Sequence, residues 1–116
     1  MKKYLLASAA ALLLTTIAAQ ASSGFALVNF GGALINGVNV ANVKHVTTGE
    51  YIVQFADDVS QCAISGTVSG RVLNPFPGQI VVTTRNLYPN DVRVTTFANN
   101  SNQPADYKFY LLAQCF

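Results

Sequence analysis

Two cysteines, one histidine and five acidic side chains are the residues of this 116-residue chain whose types could do chemistry. Cys62 and Cys115 could pair as a disulfide. With His45 they fall one ligand short of a four-ligand zinc set, so no metal site is expected. His45 could act as a base only beside a Ser or Cys nucleophile and an orienting carboxylate. No G-x-S-x-G element is present, and ordinary strand placement is the plainer reading of His45. Asp57-Asp58 could combine with Glu50 or Asp106 as an acid/base pair or a calcium site. Calcium needs six to eight oxygens at set spacings, which adjacent aspartates in a turn do not supply. Hydrolysis by two carboxylates needs a cleft that holds them several ångströms apart. Turn capping and solubility therefore account for this pair. The residues point to no catalytic centre and no cofactor.

Binding chemistry is better represented. Phe76 lies between Pro75 and Pro77, and Tyr88 lies in Asn86-Leu87-Tyr88-Pro89-Asn90. Aromatic rings beside Asn side chains on loops suit a protein or glycan partner. Phe76, Tyr88, Asn90 and Asn100 are the candidate binding-loop residues, with aromatic plugs at the sheet ends as the structural alternative. Asn99-Asn100-Ser101 matches the glycosylation pattern, but the leader has a bacterial look and chance explains the match.

These residues sit in a chain that reads as exported. Met1-Lys2-Lys3, the apolar run Leu5 to Ala19 and Ala19-Gln20-Ala21 form a secretory signal over residues 1–21. The run is shorter than the roughly 20 residues of a membrane-spanning helix. Residues 22–116 then form a single domain, in the periplasm or outside the cell. Two of the seven basic residues, Lys2 and Lys3, leave with the signal, so five basic residues face five acidic ones. A neutral domain does not suit nucleic acid, whose binders need a basic surface. In an oxidising compartment an intramolecular Cys62–Cys115 disulfide is expected, with free buried thiols or an intermolecular bridge as alternatives.

The elements that must position these residues are strands. Short runs rich in Val, Ile, Phe, Tyr and Thr are separated by Asn, Gly, Pro and Asp. Strands are expected at Phe25 to Phe30, Ala33 to Ile35 (a short edge piece), Val40 to Thr47, Glu50 to Phe55, Gln61 to Ser69, Gln79 to Thr84, Asp91 to Phe97 and Tyr107 to Cys115. Asn36-Gly37 and Thr48-Gly49 read as hairpin turns. Asn74 to Gly78 reads as a break, Asn86 to Asn90 as a turn and Asn99 to Pro104 as a loop. Cys62, Ile64, Gly66 and Val68 share one face of their strand. Tyr107, Phe109, Leu111, Ala113 and Cys115 share another. Both cysteines thus fall on apolar faces, which predicts a bridge in the core. The fold class is all-β, an antiparallel sandwich of seven to eight short strands with one disulfide. The ten asparagines concentrate at turns.

Several segments together resemble a family. Val46-Thr47-Thr48-Gly49-Glu50-Tyr51-Ile52-Val53-Gln54-Phe55 is similar to a "G-x-Y-x-V-x-F" hairpin. Val59-Ser60-Gln61-Cys62-Ala63, Pro77-Gly78-Gln79-Ile80 and Pro89-Asn90-Asp91-Val92-Arg93-Val94 follow in order. Ala105-Asp106-Tyr107-Lys108-Phe109-Tyr110-Leu111, ending at Cys115, completes the set. The set resembles small bacterial secreted disulfide-containing β-sandwich proteins, similar to phage tail-fibre-like β domains. It implies a sandwich with one disulfide and no catalytic residues. The Asn-rich N-terminal third and Phe116 depart from it.

The function expected is a secreted, non-enzymatic binding or surface-interaction module that recognises a protein or glycan through loops or a sheet edge. A structural subunit, with Phe25 to Phe30 or Tyr107 to Phe116 joining a neighbour's sheet edge, is one alternative. A periplasmic hydrolase inhibitor is the other. Gln114 and Lys108 interrupt the outward face counted back from Phe116, which argues against a membrane barrel. Tyr110, Leu112 and Phe116 are expected to form an exposed apolar edge that marks a contact surface.

Overall fold

The computed structural model describes residues 23–70, 78–85, 87–98 and 102–116. The expected secretory leader, Phe76, Asn100 and the glycosylation pattern lie outside these residues. So does most of the Asn74 to Gly78 break.

Every described element is a strand, and most of them alternate apolar and polar side chains with period two. The strands are β1 (Gly24–Val28), β2 (Leu34–Val38), β3 (Val40–Thr47) and β4 (Glu50–Phe55), then β5 (Ala63–Gly70), β6 (Gln79–Arg85), β7 (Tyr88–Phe97) and β8 (Lys108–Gln114). They form two four-stranded sheets, ordered β2-β1-β8-β5 and β3-β4-β7-β6. Every pairing within them is antiparallel. Among the described residues no helix is long and apolar enough to cross a membrane.

The inner faces of the four central strands build the core. Ala26 and Val28 of β1, with Phe109, Leu111 and Ala113 of β8, come from the first sheet. Tyr51, Val53 and Phe55 of β4, with Val92 and Val94 of β7, come from the second. The edge strands add half-buried Val40, Val43, Ile64, Ile80 and Val82. The fully buried Thr96 donates its hydroxyl to Ala105 O at 2.5 Å, so its polar group is satisfied. The expected phase is observed: Ile64, Gly66 and Val68 are more buried than Ala63, Ser65, Thr67 and Ser69.

Two expected turns differ, each for a physical reason. Asn36-Gly37 lies within β2 and does not turn. A Cβ on Gly37 would stand 3.1 Å from Phe25 O and 3.1 Å from Val40 Cγ2, so this glycine serves close packing. The reversal comes at Asn39, which has φ 59° and carries the chain from the first sheet to the second. Asn tolerates that left-handed backbone. Tyr88 to Asn90 opens β7 where a turn was expected. Pro89 is accommodated because the β4 register on β7 begins only at Asp91.

The largest correction is topological. β1 and β8 were the strands expected to offer an edge, yet both are interior. The edges are β2, β5, β3 and β6. Each pairing of an edge strand contains a register shift, whereas β1–β8 and β4–β7 run without one. Irregular edges discourage pairing with another chain.

Cys62 and Cys115 are bonded, with Cα atoms 4.3 Å apart. The β5–β8 register explains the pairing. Ala63 faces Gln114, so the next step of the ladder brings Cys62 opposite Cys115. Both cysteines are half-buried, so the bridge lies against one end of the core and not at its centre. Cys115 N also donates to Ser23 Oγ at 3.2 Å, which ties the start of β1 to the same end. Such a bond is consistent with an oxidising compartment. Replacing Cys115 with Ser removes a cross-link over 53 positions and is expected to cost roughly 4 kcal/mol. Denaturant titration of the oxidised protein and the variant measures it; a loss below about 1 kcal/mol would show that the ladder holds without the bond.

Candidate functional site

The acidic residues and His45 resolve into separate structural contacts. His45 Nε2 lies 3.0 Å from Asp106 Oδ1, and the ring stacks on Tyr51 at 4.7 Å with an 18° tilt. The Gly49 amide donates to the same Asp106 oxygen at 2.5 Å. Tyr51 Oη donates to Phe30 O at 2.6 Å and stands 3.3 Å from Asp106 Oδ1. Gly49 has φ 74°, and a Cβ there would meet Thr96 O at 2.6 Å. Gly32 has φ 93°, and its bare Cα lets the β1–β2 turn lie over His45. This cluster therefore fastens the β1–β2 and β3–β4 turns to the segment before β8. Asp106 thus holds one of the two ring nitrogens of His45.

Burial raises the Asp106 pKa, but the Gly49 amide, the His45 hydrogen bond and charge, and the Tyr51 hydroxyl outweigh it. The carboxyl is held below the ordinary carboxylate value. Asp58 is held low by the Ser60 hydroxyl at 2.6 Å, then by the Ser60 amide at 2.8 Å. Glu50 pairs with Arg93 at 2.7 Å, so Asp58, Glu50 and Asp106 serve three separate contacts. Among the described residues no group of three or more His, Cys, Asp or Glu could hold a metal.

Of the candidate loop residues, Tyr88 and Asn90 are described. Asn90 Nδ2 donates to Phe55 O at 3.2 Å and Ala56 O at 3.1 Å, which clamps the start of β7 to the end of β4. Tyr88 is exposed and carries the Arg85 guanidinium 4.3 Å above its ring. Arg85 in turn bonds Asp91 at 3.0 Å. Two shallow depressions of about 210 and 200 Å³ border Arg85 on the outer face of the second sheet. Their walls include Lys44, Glu50, Ile52, Gln54, Asp91 and Arg93. The charges pair across strands, as on a solvated sheet surface.

The outer face of the first sheet is different. Opposite residues in an antiparallel ladder point to the same side. One row runs Val38–Phe25–Leu112–Ser65 and the next Asn36–Leu27–Tyr110–Thr67. Their neighbours along β1 and β8 fill the core, so both rows face outward. Val38, Tyr110 and Leu112 are 50%, 47% and 46% exposed. Among the described residues Lys108 is the only charged one on a strand of this sheet, and the chain from Ser22 to Val43 has no charged side chain. The second sheet carries Lys44, Glu50, Arg85, Asp91 and Arg93. The expected exposure of Tyr110, Leu112 and Phe116 is observed, with Tyr110 and Leu112 on a face where an edge was expected. The charge gap over 22–43 was the sequence signal for this surface.

The chain matches no known protein family, no curated protein and no solved structure. The resemblance to tail-fibre-like β domains thus rests on its own residues.

Asp106→Ala is expected to cost about 1–3 kcal/mol, since it strips a charged acceptor from several donors. The depressed Asp106 pKa adds stability that is full above the unfolded value of about 3.9. That contribution fades as pH falls through the folded value. Thermal melts from pH 7 to pH 2 should show the cost of the variant at neutral pH shrinking in acid. A constant difference would contradict the assignment.

Proposed function

We propose that this protein is an exported, non-enzymatic interaction module whose docking surface is the outer face of the first sheet. The observation that supports this reading is the contrast between two outer faces of one small domain. The second sheet sets two cross-strand ion pairs, Arg93–Glu50 and Arg85 with the buried Asp91, beside the exposed Val46 and Val81. The first presents Phe25, Leu27, Val38, Tyr110 and Leu112, rimmed by Asn36, Ser65 and Thr67. An apolar centre with an uncharged polar rim is the composition of an interface core. A contiguous apolar patch on a soluble domain marks a contact site. The leader motif and the disulfide support export. The shifted registers at all four edges favour face recognition over edge addition.

Leu112→Lys tests the face directly, because Leu112 is half-exposed and the charge can be tolerated without unfolding. Retention on cell-envelope fractions and on immobilised secreted proteins and glycans should fall at least tenfold for Leu112→Lys. Thr83→Lys, on the second sheet, should keep wild-type retention. Equal retention of all three proteins, or no retention above background in a protein that is also monomeric at every concentration, would reject the reading.

A further inference from the structure

We infer that the occupant of this face is a second copy of the chain, packed sheet against sheet about a two-fold axis. The inference rests on the reading of the first sheet as a docking surface and names its partner.

Charge is the first argument. A face that meets itself brings each of its charges against a like charge, which costs energy. Here β1, β2 and β5 carry none, and β8 carries only Lys108 at its first residue. A two-fold axis near Leu27 and Tyr110 sends the two Lys108 side chains to opposite ends of the interface. The domain from residue 22 onward balances five basic against five acidic residues, so no net repulsion keeps copies apart.

Shape is the second. Val38, Phe25 and Leu112 form one straight cross-strand row, with Leu27 and Tyr110 beside it. Rows of this kind interdigitate when two sheets stack face to face about 10 Å apart. An isologous contact of this kind is the commonest way for identical chains to associate.

Area sets the strength. Four strands about 4.8 Å apart and about seven residues long at 3.3 Å each give a projected footprint of roughly 400 Å². That is smaller than the roughly 800 Å² per partner of a standard stable complex. The dimer is therefore reversible and concentration-dependent, not obligate.

The test is sedimentation equilibrium of the protein isolated after expression of the full chain, from micromolar to millimolar concentration. A monomer–dimer equilibrium is expected. Leu112→Lys should weaken it at least tenfold. Val81→Lys should leave it unchanged, since Val81 is an exposed apolar residue of the second sheet. Amide chemical shifts followed on dilution give a readout that needs no variant; changes should concentrate on β1, β2 and β8. A monomer at every concentration overturns the proposal. If Leu112→Lys still reduces envelope retention in that case, the docking surface stands and only its occupant is wrong. A dimer that ignores Leu112→Lys but breaks with Val81→Lys overturns the proposal and places self-association on the second sheet.

Discussion

The register of β8 is the constraint on which the rest of the structure depends. The last strand in sequence is an interior strand in space, seated between β1 and β5. Its Phe109, Leu111 and Ala113 fill the core, and its Tyr110 and Leu112 point outward. A slip of one residue would exchange the two sets. In most half-buried strands the slip is forbidden because it would expose apolar groups and bury polar ones. Here both faces are apolar at the strand centre, so that penalty is small. Only Lys108 and Gln114, at the two ends, resist it. The Cys62–Cys115 bond removes the ambiguity, because it joins the residues one step beyond Ala63 and Gln114. A covalent pin fixes the register of a strand that is apolar on both faces.

The other end of the molecule is pinned by a charge. Asp106 gathers the Gly49 amide, His45 and Tyr51 onto one carboxylate oxygen, and Tyr51 reaches on to Phe30 O. Tyr51 belongs to β4 of the second sheet, and Phe30 follows β1 of the first. The cluster therefore couples the sheets where the disulfide does not, since the disulfide lies within the first sheet alone. Gly32 and Gly49 are required on steric grounds, because a Cβ at either would collide with the parts being joined.

Much of this organisation was legible in the chain. The Val40–Thr47 and Glu50–Phe55 hairpin follows directly from a β-branched run on each side of Thr48-Gly49. The inward phase of Ile64, Val68, Phe109 and Leu111 follows from alternation, and so does the cysteine pairing. Strand order was not legible, because alternation reports which side is buried and is silent about neighbours. That is why β1 and β8, apolar on both faces, read as edges when they are central. Asn90 and Asp106 were missed as clamps for a related reason. Their partners, Phe55 O and Ala56 O for one and Gly49 and His45 for the other, are distant in sequence. A side chain that serves a remote backbone group looks like turn polarity until the topology is known.

The same fact that misled the reading of β8 carries the functional argument. An interior strand that is apolar on both faces has two surfaces to cover, and the described residues bury only one of them in the core. The second sheet shows that this sequence can dress an outer face with paired charges when the face is meant for water. On the first sheet it withholds charge from β1, β2 and β5 and accepts a register that needs a disulfide to stay in place. Apolar residues at Phe25, Leu27, Val38, Tyr110 and Leu112 add little to the core of the monomer, since their side chains point away from it. Their energetic return comes only when another surface removes them from water. The edges are less suited to that contact, because each carries a shifted register. Face against face is therefore the contact we propose for this domain.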